Sequence, residues 1–309
     1  MQNHLVSILI PVYNRENFIR ECIESALAQT YTNIEVVVVD NASTDGTWAI
    51  CQQFATKDQR VRIFRNDTNI GPVRNWLACV ARASGEYTKI LWSDDLIHHE
   101  FLSKLLPYFD DPAVGFVYSA AEVFRKDIED AHVRLFTKVK TGCYESSKFI
   151  EGSLLGRGDF PCSPGCVIFR TSDVRKNLML HIPNRVNSDF SMHAIGNDLI
   201  LLLLTAQQYV MVAVVNEYLA FFRDHQGSIT TSAPSGKISL HYDIAKGFFA
   251  EKYITDSGLI EKLNAVFFIH WLKFDARKFG INSLNNFYPS ANHMKINWLF
   301  FARRLLRLT

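Results

Sequence analysis

The sequence predicts an α/β fold: a mostly parallel, doubly wound sheet flanked by helices, with a helical region at the C-terminal end. Strand-like and helix-like segments alternate four times through the first third of the chain with short links, which is the pattern of βαβ units. The strand-like segments are short, apolar and rich in β-branched residues. After residue 231 the apolar pattern becomes helical throughout.

The elements of the first third follow from local patterns. Leu5 to Val12 is a β-branched apolar run, and Glu16 to Gln29 carries apolar residues at helical spacing. Pro72 suits the first turn of a helix that Ala83 to Gly85 would end. The other elements expected here are strands at Ile34–Val39, Val61–Phe64 and Tyr87–Trp92, and a helix at Trp48–Phe54.

The middle of the chain is more mixed. The patterns predict helices at Ser146–Leu155 and Asn197–Gln207. Strands are expected at Val114–Ala121, Val133–Val139, Gly165–Phe169, Tyr209–Val215 and Tyr218–Phe222. We therefore expect a first domain of residues 1–232, divided near residue 110 into halves 1–110 and 111–232, and a helical region of residues 233–309, with a soft boundary near Ser232.

Composition excludes several classes of protein. The 309 residues are 48% hydrophobic, and 33 basic against 31 acidic residues leave a net charge of +2. This composition matches neither a general nucleic-acid binder nor a disordered chain. The six scattered cysteines favour a reduced, intracellular protein. We interpret Cys162 and Cys166 as loop thiols, because no second Cys/His pair lies nearby to complete a zinc site.

No targeting segment is expected. The chain enters a strand-like run at once, without a charged segment and an apolar core before a cleavage site. The longest apolar runs, 198–206 and 209–215, are shorter than the roughly 20 residues that cross a bilayer.

Polar segments follow the predicted strands at their carboxyl ends. In doubly wound sheets, ligands bind in the crevice beyond these ends. The rule brings four segments to one rim: Pro11–Asn14, Asp40–Asp45, Asn66–Gly71 and Ser93–Asp95. The sequence thus predicts a crevice with acidic groups at Asp40, Asp45 and the Asp94–Asp95 pair.

The Asp94–Asp95 pair predicts a metal site. Neighbouring carboxylates repel, and a hard divalent cation such as Mg²⁺ relieves the repulsion while bridging to phosphates. A solvated turn or a helix cap before Leu96 is the simpler alternative. The position after an apolar strand, on the expected ligand rim, favours the metal site.

Three other residues of the rim suit a nucleotide. Asp40 ends a strand and can accept a hydrogen bond from a ring N–H of uracil or thymine, while Tyr13 can pack on the base. Arg74, in the first turn of the third helix, can meet base or phosphate. Each residue alone also fits a structural role: a cap, a gap filler or a surface arginine.

These segments together resemble a known family. Residues 7–46 read SILIPVYNRENFIRECIESALAQTYTNIEVVVVDNASTDG, and residues 69–95 read NIGPVRNWLACVARASGEYTKILWSDD. Both resemble glycosyltransferase family 2, whose members have the GT-A fold. The resemblance is close over residues 5–110, extends loosely to 231, and comprises four blocks in the family's order.

The resemblance implies a nucleotide-sugar donor, usually a UDP-sugar, and inversion at the anomeric carbon. It assigns Pro11, Tyr13 and Asp40 to the base and ribose pocket and adds Arg74 to the nucleotide site. It makes Asp94 and Asp95 the metal motif for Mn²⁺ or Mg²⁺, with Asp94 also meeting the nucleotide. Many members carry an aspartate where this chain has Trp92, so a nucleotide-binding relic without activity stays an alternative.

The resemblance also implies a general base. The family's base is usually the aspartate of a Glu-Asp pair before an apolar helix, and Asp198 matches it, with Asn197 in place of the glutamate. A favourable acid at a helix N-terminus is the alternative. Asp189 is the reserve candidate for the base.

The segment YLAFFRDHQGSIT resembles the family's closing segment with its Arg-x-His-x-x-Ser pattern. This resemblance implies that Arg223 and His225 contact the diphosphate and that His225 can be a metal ligand. The alternative is a loop that is held by its own hydrogen bonds and has no role in binding. The Gln-x-x-Arg-Trp signature of processive synthases is absent, which favours addition of one sugar.

The C-terminal tail is amphipathic. It interleaves apolar and basic residues: Lys295, Trp298, Leu299, Phe300, Arg303, Arg304, Leu305, Leu306, Arg307 and Leu308. This pattern is typical of a segment lying on an anionic membrane surface, and equally of a helix packed on the catalytic domain or a second subunit. Because members of the family often act on polyprenyl-linked sugars, we expect membrane contact.

The sequence thus predicts a metal-dependent hexosyl- or N-acetylhexosaminyltransferase. Residues 1–110 would bind the nucleotide and 111–232 the acceptor, a glycan or polyprenyl-linked sugar of surface polysaccharide or lipid-linked oligosaccharide synthesis. We expect a cytoplasmic protein, at the inner face of the cell membrane if the tail binds it. Two other enzyme classes are disfavoured. This chain has no Gly-x-Gly-x-x-Gly motif after a strand, as a dinucleotide oxidoreductase would. It also has no Gly-rich basic loop after its first strand, as a sugar-nucleotide nucleotidyltransferase would.

Overall fold

The structure, a computed structural model, describes residues 4–227 and 233–306. Its strands are β1 Val6–Val12, β2 Ile34–Asp40, β3 Val61–Arg65, β4 Tyr87–Ile90, β5 Leu96–Ile97, β6 Val114–Phe124, β7 Val133–Leu135, β8 Gly142–Glu145, β9 Val167–Arg170 and β10 Met211–Arg223. Its helices are α1 Ile19–Leu27, α2 Thr47–Lys57, α3 Pro72–Arg82, α4 Phe101–Leu105, α5 Ser146–Leu155, α6 Thr171–Asn177, α7 Phe190–His193, α8 Asn197–Ala206, α9 Lys237–Tyr253, α10 Ser257–Lys273 and α11 Trp298–Leu305.

Within the described residues these strands form one sheet, in the order β3-β2-β1-β4-β9-β6-β10-β5, with β7 beside β6 and β8 beside β10. The predicted α/β sheet is confirmed. The pairs β1–β2, β2–β3 and β1–β4 are parallel, and all seven residues of β2 are buried. Further along, β9 runs antiparallel between β4 and β6, so the second half of the sheet is mixed.

Three predicted strands differ from the structure in number or length. The expected strands Tyr209–Val215 and Tyr218–Phe222 form one strand, β10, whose register shifts along β6 absorb the polar break between them. The expected strand Val133–Val139 ends at Leu135, because Phe136 takes a left-handed φ of 60°. The helix at Ser146–Leu155 is as predicted and ends in a left-handed Gly156.

The C-terminal helices pack directly on the sheet domain. α9 contacts α8, α10 contacts α5, and their buried side chains belong to the same hydrophobic cluster as the strands. The boundary expected near Ser232 lies outside the described residues, as do Ser228 of the closing pattern and Arg307 and Leu308 of the tail. The two-domain division therefore stays a proposal. In residues 4–227 and 233–306, no helix combines the length and hydropathy needed to cross a bilayer.

The carboxyl ends of β1, β2 and β4 form the predicted rim. Val12 pairs with Asp40 in register, so the loops after β1 and β2 lie side by side. Asn14, with a left-handed φ of 50°, ties the two loops together. Its backbone N–H donates to the Ser43 hydroxyl at 2.9 Å, and its side-chain oxygen accepts from the Thr44 N–H at 2.8 Å.

Candidate active site

The side of the rim predicted to bind the nucleotide contains Pro11, Tyr13 and Asp40. Pro11 is buried in β1, and Tyr13 is 40% exposed, which leaves its ring accessible to a base. Asp40 is fully buried; its carboxylate accepts from the Ser43 backbone N–H at 3.1 Å and pairs with the Arg65 Nε at 3.0 Å. Asp40 therefore also holds the loop after β2, and its partner Arg65 was not anticipated from the sequence.

Arg74 connects the nucleotide side of the rim to α7. Its guanidinium donates to the Ser191 hydroxyl at 2.9 Å, and that hydroxyl donates to the Asp189 carboxylate at 2.6 Å. The two helices approach closely because Gly71, with φ of 83°, precedes α3. A Cβ at position 71 would lie 2.7 Å from the sulfur of Met192.

The two carboxylates of the Asp94–Asp95 pair have different surroundings: that of Asp94 is the outer one, and that of Asp95 is the inner, more buried one. Asp94 lies 2.8 Å from the His225 Nε2 and 3.4 Å from the Arg15 Nε. Asp95 is 7% exposed and accepts from the Arg223 backbone N–H at 2.9 Å. Burial and the neighbouring charge of Asp94 raise the pKa of Asp95 well above its usual value. A cation at this corner would relieve that strain.

His225 faces Asp94 in a defined tautomer when its ring is neutral. Its Nδ1 accepts from the Gly227 backbone N–H at 3.1 Å, so the ring proton lies on Nε2, facing Asp94. Coordination of a cation by Nε2 would move the proton to Nδ1 and break the bond from Gly227. His225 therefore fits a metal site after a local rearrangement.

The Arg223 side chain is engaged in contacts within the protein and is not available to bind a diphosphate. Its side chain is 5% exposed and lies between the rings of Phe18 and Phe124, at 5.1 and 4.5 Å from their centroids. It pairs with Glu21 and donates to the Asp94 carbonyl oxygen at 3.1 Å. These contacts favour a role in shaping the acidic corner.

Trp92 occupies the position where the sequence resemblance led us to expect an aspartate. Its indole N–H donates to the Ser163 hydroxyl at 3.0 Å, and its ring lies 4.7 Å from that of Trp76. The indole thereby ties the strand end before Asp94 to the segment around Ser163. Position 92 therefore holds an indole with a structural contact and supplies no carboxylate to the corner.

Sequence reasoning missed two basic residues of this corner. Arg15, which pairs with Asp94, follows the rim segment Pro11–Asn14 by one residue, and this adjacency could have flagged it. Lys89 is fully buried in β4, and its ammonium lies 4.7 Å from the Phe101 ring centroid. Burial lowers the pKa of Lys89 to about 8, against the opposing influence of Cys166 and Asp95. A charged residue within an otherwise apolar strand was the feature of the sequence that could have identified Lys89.

The donor set of the corner fits a hard or borderline cation. Two carboxylates and an imidazole are ligands that Mn²⁺ and Mg²⁺ accept, and the mutual repulsion of Asp94 and Asp95 favours such an ion. In residues 4–227 and 233–306 the ligand atoms of Asp94, Asp95 and His225 do not converge as a compact trio, and the trio that does converge lies elsewhere. It is His98, His99 and Glu100, with ligand atoms within 4.8 Å of one another, and its Glu100 pairs with Lys104 at 3.0 Å.

Asp198 lies at the start of α8 and is 8% exposed. One carboxylate oxygen accepts from the backbone N–H groups of Gly196 and Leu199, and the other accepts from the Tyr242 hydroxyl at 2.6 Å. Burial raises the pKa of Asp198 to about 6, although these hydrogen bonds oppose the rise. Asn197, in place of the family's glutamate, donates to the Met179 carbonyl oxygen at 2.9 Å and has a structural role.

Asp189, the reserve candidate, has the opposite environment. It is exposed at the start of α7, where hydrogen bonds from the Ser191 side chain and backbone lower its pKa. It is therefore ionised across the neutral range but lies in solvent. A pKa near neutrality is better suited to a general base, which favours Asp198.

Comparison with known proteins decides the family. Residues 7–178 match the model of Glycosyl transferase family 2, which is more than half of this 309-residue chain. The chain belongs to glycosyl transferase family 2. A curated relative is the glycosyltransferase GlyG of Streptococcus pneumoniae serotype 4, 27% identical over 88% of this chain and 87% of GlyG.

Solved structures share the fold of this glycosyltransferase. TarS of Staphylococcus aureus, in complex with UDP-GlcNAc, superposes with a TM-score of 0.67 at 18% identity, covering 91% of this chain and 80% of TarS. The mannosyltransferase PcManGT of Pyrobaculum calidifontis, in complex with GDP-Man and Mn²⁺, gives 0.54 at 15% identity, covering 99% and 81%. The GT-A fold expected from the sequence is confirmed.

Asp198 is expected to make the stability of the glycosyltransferase depend on pH. Its pKa is about 6 in the fold against 3.8 ordinarily, so its contribution to stability is full below pH 3.8 and is lost as pH rises through 6. Each pH unit between the two values is worth about 1.4 kcal/mol, which gives a loss of about 3 kcal/mol. Urea unfolding of wild type and Asp198→Asn at about pH 4.5 and pH 7.5 should register about 2 kcal/mol of this loss, the part that falls between pH 4.5 and 6. The variant should gain relative stability at the higher pH; an unchanged difference would contradict the burial of this charge.

Proposed function

We propose that this glycosyltransferase moves one sugar from a nucleoside-diphosphate sugar to a hydroxyl of an acceptor glycan, with inversion at the anomeric carbon. The observation that carries the proposal is the contrast between two acidic sites. Asp94 lies among cationic and metal-binding partners, Arg15 and His225. Asp198 is buried, with its pKa raised to about 6. A carboxylate beside cationic and metal-binding groups suits the leaving diphosphate, and a buried carboxylate with a raised pKa suits proton removal from the acceptor.

The donor would bind along the rim after β1 and β2. The accessible ring of Tyr13 suits the base, Pro11 and Asp40 line the same edge, and Arg74 reaches the crevice from α3. Because Asp40 already accepts from Ser43 and Arg65, a base N–H would use its remaining acceptor capacity. A UDP-sugar is the first candidate, as in the UDP-GlcNAc complex of TarS, with a hexosyl or N-acetylhexosaminyl group to transfer.

Asp94, Asp95 and His225 would hold a divalent cation, Mn²⁺ or Mg²⁺. When bound, such an ion neutralises charge on a leaving diphosphate. The complex of PcManGT with GDP-Man and Mn²⁺ provides a precedent in the same fold. Arg15, whose Nε lies 3.4 Å from Asp94, adds a positive charge from the chain itself.

Asp198 would act as the general base. Above pH 6 its carboxylate is ionised and can take the proton of the acceptor hydroxyl. The acceptor oxygen would then bond to the anomeric carbon on the face opposite the departing diphosphate, and the nucleoside diphosphate would leave with the bonding electrons. This single displacement inverts the anomeric centre.

A donor-hydrolysis screen over a panel of sugar nucleotides tests the proposal. It is combined with isothermal titration of UDP, dTDP and GDP, each with and without Mn²⁺. We expect metal-dependent binding of one nucleotide and slow hydrolysis of one of its sugars. Absence of metal-dependent binding by all three would overturn the proposal. Binding without hydrolysis or transfer would instead indicate an inactive nucleotide-binding protein, as the tryptophan at position 92 permits.

The acceptor would be a glycan or polyprenyl-linked sugar in surface polysaccharide or lipid-linked oligosaccharide synthesis, reached from the cytoplasmic face of the membrane. Helix α11 supports contact with that membrane. Phe300 faces inward, whereas Trp298 and Leu299 are 60% and 63% exposed, and Lys295 and Arg303 are exposed beside them. An exposed apolar ridge with flanking cations is the pattern of a helix lying in a membrane interface.

Cosedimentation with phospholipid vesicles checks this contact. We expect the protein to bind vesicles containing anionic lipid, with binding reduced about tenfold in a Trp298→Glu/Leu299→Glu variant, because the charges oppose insertion of the apolar ridge. Val210→Glu is the matched control, since Val210 is 71% exposed but lies directly before β10, away from α11 in the chain. Equal binding by all three proteins, or none by wild type, would contradict membrane contact through α11.

A further inference from the structure

Helix α9 of the C-terminal region contacts the proposed base directly. Tyr242 donates from its hydroxyl to one oxygen of the Asp198 carboxylate at 2.6 Å, while the other oxygen is held by the backbone at the start of α8. Both oxygens are thus fixed in direction, and the one that accepts from Tyr242 keeps a lone pair for an acceptor hydroxyl. The adjacent His241 holds α9 against the α7 segment, through a 2.9 Å contact with the Ser188 hydroxyl.

The same tyrosine connects Asp198 to the acidic corner. Its hydroxyl also contacts the thiol of Cys162. The next residue, Ser163, accepts from the indole N–H of Trp92 at 3.0 Å, and Trp92 lies two positions before Asp94. A continuous path of contacts therefore joins the proposed base to the proposed metal corner, and Tyr242 is the member supplied by the C-terminal helices.

We infer that Tyr242 is a positioning residue for the base Asp198, and that the C-terminal helical region thereby completes the active site. This inference rests on the proposed function. A phenol is suited to the task because it is a neutral donor on a rigid ring, and it favours the ionised carboxylate without pairing it with a charge. The phenol also fixes which lone pairs of the carboxylate face the acceptor.

Few other groups near Asp198 can titrate in the neutral range. Burial and the charge of Asp198 raise the pKa of Tyr242 far above neutrality. Although Cys162 is an exposed residue overall, burial of its thiol raises its pKa to about 11. Lys246, one turn along α9, faces Cys162 and Asp243, and burial lowers its pKa. His241 is buried with its pKa lowered, and it bonds to Ser188 rather than to Asp198.

The test is the pH profile of Tyr242→Phe. Removing one hydrogen bond to the ionised carboxylate should move the acid limb of kcat/KM for transfer, or for donor hydrolysis, upward by about one pH unit. The nucleotide Kd should stay within about twofold of wild type, because Tyr242 contacts no residue assigned to the donor. Tyr288→Phe is the matched control: Tyr288 is buried in the same region and donates to Asn264 at 2.7 Å, away from Asp198.

The possible results distinguish a failure of the positioning role of Tyr242 from a failure of the proposed function. An acid limb that shifts in Tyr242→Phe and not in Tyr288→Phe supports the positioning role. Coincident profiles for both variants and wild type, with Asp198→Asn inactive, overturn the positioning role alone. Transfer that survives Asp198→Asn overturns the assignment of the base, and with it this inference. A Tyr242→Phe variant that loses activity equally at all pH values, as a merely structural residue would, also overturns it.

Discussion

Replacing Asp198 by asparagine is expected to reduce sugar transfer by a factor of about 10² to 10⁴, the usual contribution of a positioned base, while donor binding stays intact. Asparagine keeps the size of the side chain, its oxygen can accept from the backbone at the start of α8, and its NH₂ group can donate to the Tyr242 hydroxyl oxygen. It cannot take a proton. Transfer rates with saturating donor, together with titration of the nucleotide, measure the two effects separately.

Asp189→Asn is the matched control for this prediction. Asp189 is also an aspartate at the start of a helix, only nine residues before Asp198, but it is exposed and its pKa is lowered. We expect this variant to retain transfer within about tenfold of wild type, the change coming from its link to Arg74 through Ser191. If Asp189→Asn abolishes transfer and Asp198→Asn does not, the roles of the two residues are reversed.

Replacing Asp94 by asparagine is expected to abolish the metal dependence of nucleotide binding. Loss of second-shell partners alone typically weakens metal sites 10- to 100-fold, so loss of a carboxylate ligand should cost on the order of 100-fold or more. Asp94 is the outer carboxylate of the pair and the one in contact with His225 and Arg15. Titration of UDP with and without Mn²⁺ shows whether the two isotherms converge in the variant.

Two controls keep this measurement specific. His98→Ala/His99→Ala removes the separate His-His-Glu trio, which could bind Mn²⁺ without any connection to the nucleotide. Asp45→Asn removes an acid of the same rim whose oxygens accept from the backbone N–H groups of Glu16 and Thr47. Metal-dependent UDP binding should survive in both. Its survival in Asp94→Asn would show that this carboxylate is not required for the metal.

Much of the fold was predictable because its determinants are local. The buried run of β2 and the helical stripe of α1 are patterns within single segments, and they fix element type and burial. Parallel pairing then follows from the alternation of elements, and the rim follows from parallel pairing. The predictions of secondary structure were wrong where tertiary pairing overrode the local pattern. β10 continues through a polar break because β6 pairs with it on both sides, with shifts in register.

The candidate site was predictable in part. Strand ends and family motifs selected Asp40, Arg74, Asp94 and Asp198, and the structure brings Asp94 and His225 together across more than a hundred residues of chain. The sequence left open how Asp94 and Asp95 divide their work. The structure turns Asp95 inward to the Arg223 N–H and leaves Asp94 half-buried, in contact with Arg15 and His225.

By itself, the sequence determined the α/β class, the family and the acidic rim, because these depend on side-chain patterns carried within short segments. Only the tertiary structure decided what surrounds each acid: Arg15 beside Asp94, Arg223 committed beneath the pair, and Tyr242 on Asp198. The residues in these contacts are 44 to 129 positions apart in the sequence. They depend on how the helices and strands pack, which no periodicity in the sequence encodes, and burial in that packing is what raises the pKa of Asp198 into the range of a base.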